Sequence, residues 1–262
     1  MNTRKYLFEW EDLPWFPDML RESMTDYLRF MFTHTNFYQP ITPLILQGLT
    51  HSQSHQLVDL CSGGGGPIEV IKSNLEEVTG QPLPVLLTDK FPNLQAFRML
   101  AERSKNQISY LQNAIDARDV PANIAGFRTI FSGFHHFDDE FAKAVLQNAV
   151  DNKAGIGIFD GGDKNLLSIL LILILHPLAF VFLTPFFRPF RWTRIIFTYV
   201  IPLIPFFTIW DGIVSVTRLR SPQALLKLAQ AVTSNGYHWE AGKRKNKWGM
   251  NVAYLLGYPI WL

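Results

Sequence analysis

Leu57-Val58-Asp59-Leu60-Cys61-Ser62-Gly63-Gly64-Gly65-Gly66-Pro67 is an apolar run that ends in an acid and then breaks into four consecutive glycines. The pattern reads as a buried parallel strand handing over to a tight turn and a helix. Glycine suits such a turn because it reaches positive φ and, lacking a Cβ, lets the backbone approach a ligand closely. The N–H groups that open the following helix then face a polar or anionic group. The stretch therefore points to a small-molecule cofactor. Two phosphate-binding patterns do not fit it. A P-loop closes on Lys followed by Ser or Thr, whereas Gly66 precedes Pro67, Ile68 and Glu69. A dinucleotide fingerprint needs a third glycine at the position held by Ile68.

The segments downstream repeat the theme. Leu83-Pro84-Val85-Leu86-Leu87-Thr88-Asp89 is a second apolar strand ending in an acid, and Tyr110 to Pro121 carries Asp116, Ala117 and Asp119. Phe127 to Phe137 and Ala154 to Gly162 read as further strands with their following loops. Helix-compatible stretches lie between them, at Ile68 to Leu75, Leu94 to Ser104 and Glu140 to Asn152. This alternation predicts a parallel α/β sheet.

In this order the strand tips resemble class I (Rossmann-like) methyltransferases that use S-adenosyl-L-methionine (SAM). The resemblance covers roughly residues 56–162 and resumes after Trp210. It implies a doubly wound, seven-stranded, mostly parallel sheet with an antiparallel C-terminal hairpin. It also implies SAM as the cofactor. Asp59 takes the family's acid position, Gly63 and Gly65 the second and third glycine positions, and Cys61 stands where the first glycine is usual. Asp89, with Lys90 beside it, matches the acid that accepts both ribose hydroxyls, although an acid there also suits a helix N-cap. Asp116 and the Ala117 backbone match the adenine position, although Asp116 and Asp119 also suit a turn before Pro121. Cys61 reads as a small residue packed beneath the cofactor.

The strand-four loop carries Phe134, His135 and His136 where the family places substrate-facing groups. An imidazole titrates near neutral pH and suits a general base, so His135 and His136 are the catalytic candidates; the sequence does not choose between them. The (N/D)-P-P-(Y/F) motif of amino-directed methyltransferases is absent, and no carboxylate cluster in the sequence marks a metal. Phe134, Tyr27, Tyr38 and Asp211 are candidate substrate contacts, with capping an equal reading for Asp211.

A segment from Leu166 to Trp210 stands apart. Leu166 to Phe187 carries no formal charge, a basic stretch with Arg188, Arg191 and Arg194 follows, and Ile195 to Trp210 is again uncharged. Both runs are broken by prolines. Three placements are open: a membrane-spanning hairpin, an element lying in one leaflet, and a soluble apolar lid or interface. The second run would reach only about 24 Å as a helix, short of the roughly 30 Å hydrocarbon core. The prolines and the flanking Trp192 and Trp210 favour the leaflet placement. A large apolar surface beside the site predicts a lipophilic small-molecule substrate.

The remaining regions frame this core. Residues 1–50 read as an N-terminal helical cap, with a helical apolar stripe over Met19 to Thr33 and a second helix over Ile41 to Leu49; 51–162 as the SAM-binding core; 163–210 as the insert; and 211–262 as the completion of the core. Trp210 to Ser215 reads as a loop opening a helix. Ser221-Pro222 reads as an N-cap pair for a helix to about Ser234, and Tyr237 to Glu240 and Asn251 to Pro259 as closing strands. The basic cluster Lys243 to Lys247 reads as their turn, with anionic lipid headgroups as a second reading. A formal net charge of +2 makes no global case for nucleic acid. With a single cysteine there is no internal disulfide. Charges interrupt the N-terminus, so no secretory signal peptide is expected. The sequence thus predicts a membrane-associated SAM-dependent methyltransferase, its catalytic domain facing the cytoplasm, acting at O, N or C of a lipophilic acceptor. Two other classes stay open: a SAM-binding protein that does not methylate, and a membrane interaction protein with a degenerate fold. Oligomeric state is not legible.

Overall fold

Five strands run parallel, joined by links too long for hairpins, three of which carry a crossover helix. In the computed structural model, which describes residues 7–233 and 236–261, these are β1 (Leu57–Asp59), β2 (Val85–Leu87), β3 (Ile108–Tyr110), β4 (Phe127–Phe131) and β5 (Ile156–Gly161). Two longer strands, β6 (Tyr237–Lys245) and β7 (Asn251–Pro259), form an antiparallel hairpin, and β7 joins β5 antiparallel. The sheet order is β3-β2-β1-β4-β5-β7-β6. The register sets Asp59 opposite Leu87 on β2 and Thr129 on β4, so the β1 tip is flanked from both sides.

Helices cover both faces. One face packs α2 (Thr42–His51), α3 (Ile68–Thr79) and α4 (Leu94–Arg103) on the sheet, with Ile45, Ile71, Leu75, Phe97 and Leu100 against Leu57, Leu87 and Phe127. The other packs α5 (Asp139–Asp151) and α9 (Pro222–Gln230), with Val145, Leu146, Leu225 and Leu228 against Val58, Ile130 and Ile158. Side-chain caps start three of these helices: Asn93 Oδ1 accepts from the Ala96 N–H at 3.1 Å, Asp138 Oδ1 from Phe141 at 2.7 Å and Ser221 Oγ, as the Ser221-Pro222 pair predicts, from Ala224 at 3.2 Å.

A third apolar cluster joins α1 (Asp18–Thr35) to the insert, which consists of α6 (Leu166–Leu183), α7 (Trp192–Tyr199) and α8 (Leu203–Arg218). Leu20, Met24 and Tyr27 of α1 pack there with Phe180, Phe187 and Ile204. Buried Asp26 of α1 pairs with Arg191 at 3.4 Å and with Arg194, tying the basic stretch of the insert inward. The opposite side of the insert is bare: Leu166, Phe182, Trp192 and Val200 are each about two-thirds or more exposed. By length and composition α6 qualifies as a membrane span, and 11% of its apolar window is buried.

Several details differ from the sequence reading. The uncharged run Ile195 to Trp210 is not one helix but two, α7 and α8, bent by 76° where Pro202 intervenes. Trp210 to Ser215 is no loop; α8 runs through it. Its Gly212 lies beside α6, where an added Cβ would make ordinary contact with Ile172 at 3.5 Å. Helix α9 ends at Gln230, and Ser234 lies outside the described residues. Strand β6 extends through Lys243, Arg244 and Lys245, so the basic cluster begins on the strand and only its end forms the turn.

Candidate active site

Beyond β1 the chain turns sharply. Cys61, Gly63 and Gly65 all have positive φ, at 57°, 54° and 97°. The cysteine thus holds the left-handed conformation that glycine ordinarily supplies, and burial pushes its thiol well above the usual range, against nucleophilic use. Side chains fix the turn from two sides. Ser62 Oγ donates to the Asp59 carbonyl at 2.9 Å, and Thr129 Oγ1 donates to Asp59 Oδ1 at 2.7 Å. At the β2 tip, Asp89 accepts from the Gly63 N–H on Oδ2 and from the Phe91 N–H on Oδ1, each at 2.7 Å. Each carboxylate oxygen keeps acceptor capacity beyond these bonds.

Above the turn lies a cleft of about 720 Å³. Cys61, Ser62, Gly63, Gly64 and Gly66 line one wall, and Asp89, Lys90 and Phe91 another. Thr25, Leu28 and Phe32 of α1 face them, and the loop after β4 closes the far end with Ser132, His136 and Phe137. The glycine turn, the acid at the second strand tip and the cleft all sit at the carboxyl ends of the parallel strands, as ligand sites in open α/β sheets do. With the strand order and the antiparallel β7, this decides the architecture. The fold is that of the class I methyltransferases.

No protein-family model matches the sequence, and no curated protein matches it. Solved structures similar in fold include several that are methyltransferases by name. Human N-acetylserotonin methyltransferase in complex with SAM aligns at 12% identity and TM-score 0.49, over 90% of this chain and 56% of that one. The pyocyanin biosynthetic protein PhzM aligns at 10% identity and TM-score 0.49, over 84% of this chain and 54% of that one. The O-methyltransferase NcsB1 from neocarzinostatin biosynthesis, with S-adenosyl-L-homocysteine and 1,4-dihydroxy-2-naphthoic acid, aligns at 12% identity and TM-score 0.47, over 84% and 57%. This chain spans little more than half the length of each.

Within the methyltransferase fold the two histidines have different surroundings. Both lie on a short 3-10 turn, Phe134–His136, after β4. His135 is buried, and its Nδ1 meets Asp160 Oδ1 of β5 at 3.0 Å. Its Nε2 is buried with no hydrogen-bond partner among the described residues. His136 sits in a cage of carboxylates from the N-terminal segment, with Glu9 and Asp12 on Nδ1 and Glu11 Oε1 at 3.4 Å from Nε2. Burial opposes charge on His136, but Glu9 and Asp12 outweigh it and raise the imidazole well above its ordinary range. His136 is therefore held as a cation, and His135 is the imidazole with a nitrogen to offer.

His135 faces a side chamber of about 130 Å³ that shares Glu11, Leu28, Phe32, Ser132 and His136 with the main cleft. The chamber lies between α1, α6 and α8, walled by Met24, Ile172, Val216 and Leu219. Asp211 borders it, but its oxygens accept the N–H groups of Trp10 at 2.8 Å and Glu11 at 3.1 Å. It thus anchors the N-terminal segment; burial, then repulsion from the carboxylates of that segment, pushes its carboxyl upward.

Other candidates lie elsewhere. Asp59 is buried beneath the turn rather than on the cleft, and burial raises it to about 7 despite the Thr129 bond. Asp116 is held by Arg118, through Nε at 3.0 Å and Nη2 at 2.7 Å, and lies 3.7 Å from Lys90. The Arg118 bonds hold its carboxyl down at about 2, and it stands behind Lys90 rather than on the cleft wall. Ala117 is buried in the apolar layer under α5. Phe134 also points into that layer, and its carbonyl accepts from Arg220 at 3.0 Å. Tyr38 is buried, its hydroxyl bonded to Ser132 Oγ, and Tyr27 stacks on Phe180 at 4.3 Å in the core of the insert. These four are drawn inward because long-range packing partners claim them.

The sequence reading passed over Asp160, although it had quoted the strand that carries it. It also passed over Glu9, Glu11 and Asp12, which it saw only as charges interrupting an apolar stretch. Nor did it foresee a group of potential metal-ion donors: atoms of Glu9, His135 and His136 lie within 4.8 Å of one another. Within the chain, His136 and Arg218 both pair with Glu9 and Asp12.

Proposed function

We propose that the protein is a SAM-dependent methyltransferase that acts on a lipophilic small molecule. The observation that carries this reading is the continuity of the glycine-turn cleft with an apolar chamber holding an unpaired, carboxylate-oriented imidazole. The cleft suits the cofactor. Gly63 and Gly66 present bare backbone to it, a Cβ on Gly66 would meet no atom within 4 Å, and Asp89 has acceptor capacity for ribose hydroxyls. When bound, SAM supplies an electrophilic sulfonium methyl group. The chain's task is to hold an acceptor close and in line, which supplies much of the rate. His135 Nε2 takes the proton as an acceptor O–H forms its bond to carbon, and Asp160 orients the ring and stabilises the imidazolium. This role favours a hydroxyl as the accepting group.

We further propose that the bare face of the insert meets the bilayer in its plane. In support, Ile172 and His176 on the inner side of α6 line the chamber, while Leu170, Leu173 and Phe182 on other sides are exposed. Cationic residues flank the helix at both ends: Lys243 pairs with Asp163 at 2.7 Å just before α6, and Arg188 follows it. Such a pattern suits anionic headgroups on the cytoplasmic leaflet.

Calorimetric titration with SAM tests the cofactor. Micromolar, saturable binding that Asp89→Ala weakens by about tenfold or more is expected, since a bond to a charged acceptor is lost. A folded protein that does not bind SAM overturns the reading.

A further inference from the structure

The side chamber carries a second polar feature that the methyl-transfer role of His135 does not use. His176 projects from the uncharged helix α6 and lines the chamber opposite the β4 loop. Its Nδ1 is buried and has no hydrogen-bond partner among the described residues. This is unusual even within this molecule. His34 and His51 also lie in helices, and each places Nδ1 2.8 Å from the carbonyl four residues back. His176 is steadied instead by an edge-on contact with the Tyr27 ring at 5.4 Å, and Gly212 of α8 leaves room beside it.

The other polar side chains on the chamber wall are satisfied. Thr208 Oγ1 donates to the Ile204 carbonyl at 2.8 Å, Ser215 Oγ donates to the Asp211 carbonyl at 2.8 Å, and Asp211 accepts its two backbone N–H groups. Ser132 Oγ is bonded to the Tyr38 hydroxyl, and Glu11 and His136 face each other at 3.4 Å. Two imidazole nitrogens, His135 Nε2 and His176 Nδ1, are left without partners among the described residues beside this one small space. A buried nitrogen with nothing to bond is costly, and a pair around one cavity is a recognition pattern awaiting its ligand.

We propose that the chamber selects a lipophilic compound bearing two oxygens, one at His135 and the second, a hydroxyl or carbonyl, at His176. Dihydroxyarenes are compounds of this class and serve as its probes. The assignment rests on the methyl-transfer reading only in naming the oxygen at His135 as the acceptor. His176 is a specificity-determining residue that touches the second oxygen and takes no proton from the reacting one. Because a neutral imidazole nitrogen can donate or accept, depending on its tautomer, His176 suits either form of that oxygen.

The test uses the full-length protein in detergent and a matched series of pentylphenol and its 1,2-, 1,3- and 1,4-dihydroxy homologues, all compared by direct binding. At least one dihydroxy compound is expected to bind about tenfold more tightly than the monophenol, the effect of one additional buried hydrogen bond. His176→Leu should abolish that preference while leaving monophenol binding and SAM affinity unchanged. His176→Asn, whose amide falls near the place of Nδ1, should restore part of it and covers the case in which the leucine variant fails to fold. In turnover the His176→Leu effect should fall on KM rather than kcat. A wild-type protein that binds no dihydroxy compound more tightly than the monophenol overturns the proposal, as does a leucine variant that weakens all compounds alike. If SAM fails to bind but the dihydroxy preference still depends on His176, the methyltransferase reading falls and the chamber assignment stands.

Discussion

At the scale of single residues, the two adjacent histidines show how surroundings divide identical chemistry. His135 keeps a free Nε2 because Asp160 takes its other nitrogen, whereas His136 is enclosed by Glu9, Glu11 and Asp12. His135→Gln is therefore expected to lower kcat by about 100-fold or more, the usual contribution of a positioned general base, with SAM affinity unchanged in titration. An equal loss from His136→Gln with His135→Gln silent would reverse the assignment. The sequence placed both histidines after the fourth strand, where the structure has them, but did not separate them. The deciding partners come from β5 and from the N-terminal segment, more than 120 residues away in the case of Asp12. Asp89 was legible as an acid at a strand tip beside the glycine turn, and there it accepts the Gly63 N–H. Asp116 was less so: the Arg118 guanidinium two residues on engages its carboxylate, a local pairing that a motif match does not register.

At the scale of elements, the N-terminal segment before α1 behaves as a strap. The Trp10 and Glu11 amides bond Asp211, Glu9 and Asp12 grip His136, and Arg218 donates to Asp12 at 3.1 Å. The fold raises His136, so its contribution is complete below the ordinary imidazole value of about 6.5 and is lost as pH rises through the raised value. Glu9 and Asp12 are lowered, with burial opposing and His136 prevailing, so their contribution is complete above the ordinary carboxylate range and is lost as pH falls through the lowered values. Burial raises Asp211 to about 7 and Glu11 to about 8, so their contributions are also lost as pH rises through those values. Hydrogen-exchange protection of the Trp10 and Glu11 amides should therefore fall from neutrality into the alkaline range, and His136→Gln should remove the most alkaline part of that fall. Protection that is indifferent to pH in the wild type would refute this account. None of this was visible from periodicity, since the strap has none. The crossover helices α4 and α5 were visible as helix-compatible stretches between apolar runs, and α9 by its Ser221-Pro222 cap pair. Helix α8 was misread at Trp210 to Ser215 because Asp211 and Gly212 are residues that turns favour.

For the whole molecule, the parallel sheet followed from alternating segments, whereas its doubly wound form with an antiparallel end hairpin came from the resemblance of the strand tips and agrees with the observed sheet. The disposition of the insert did not follow, since uncharged runs do not say which side packs inward. The structure supplies that distinction: α6 buries Ala179 and Phe180 and exposes Leu170, Leu173 and Phe182. Substituting those three exposed residues with glutamate is expected to release the protein from anionic vesicles in a flotation assay while thermal unfolding of the core stays in place. Wild-type attachment should also weaken with salt, because the flanking Lys243 and Arg188 act through screened charge. Vesicle binding that survives the triple substitution would move the contact elsewhere.

Helix α6 is both the ceiling of the chamber, through Ile172 and His176, and the bare apolar ridge of the molecule. An enzyme so built would sample its acceptor in two dimensions. Turnover would then follow the mole fraction of acceptor in the surface, not its molarity in the tube, and inert phospholipid added at constant total acceptor would act as a diluent.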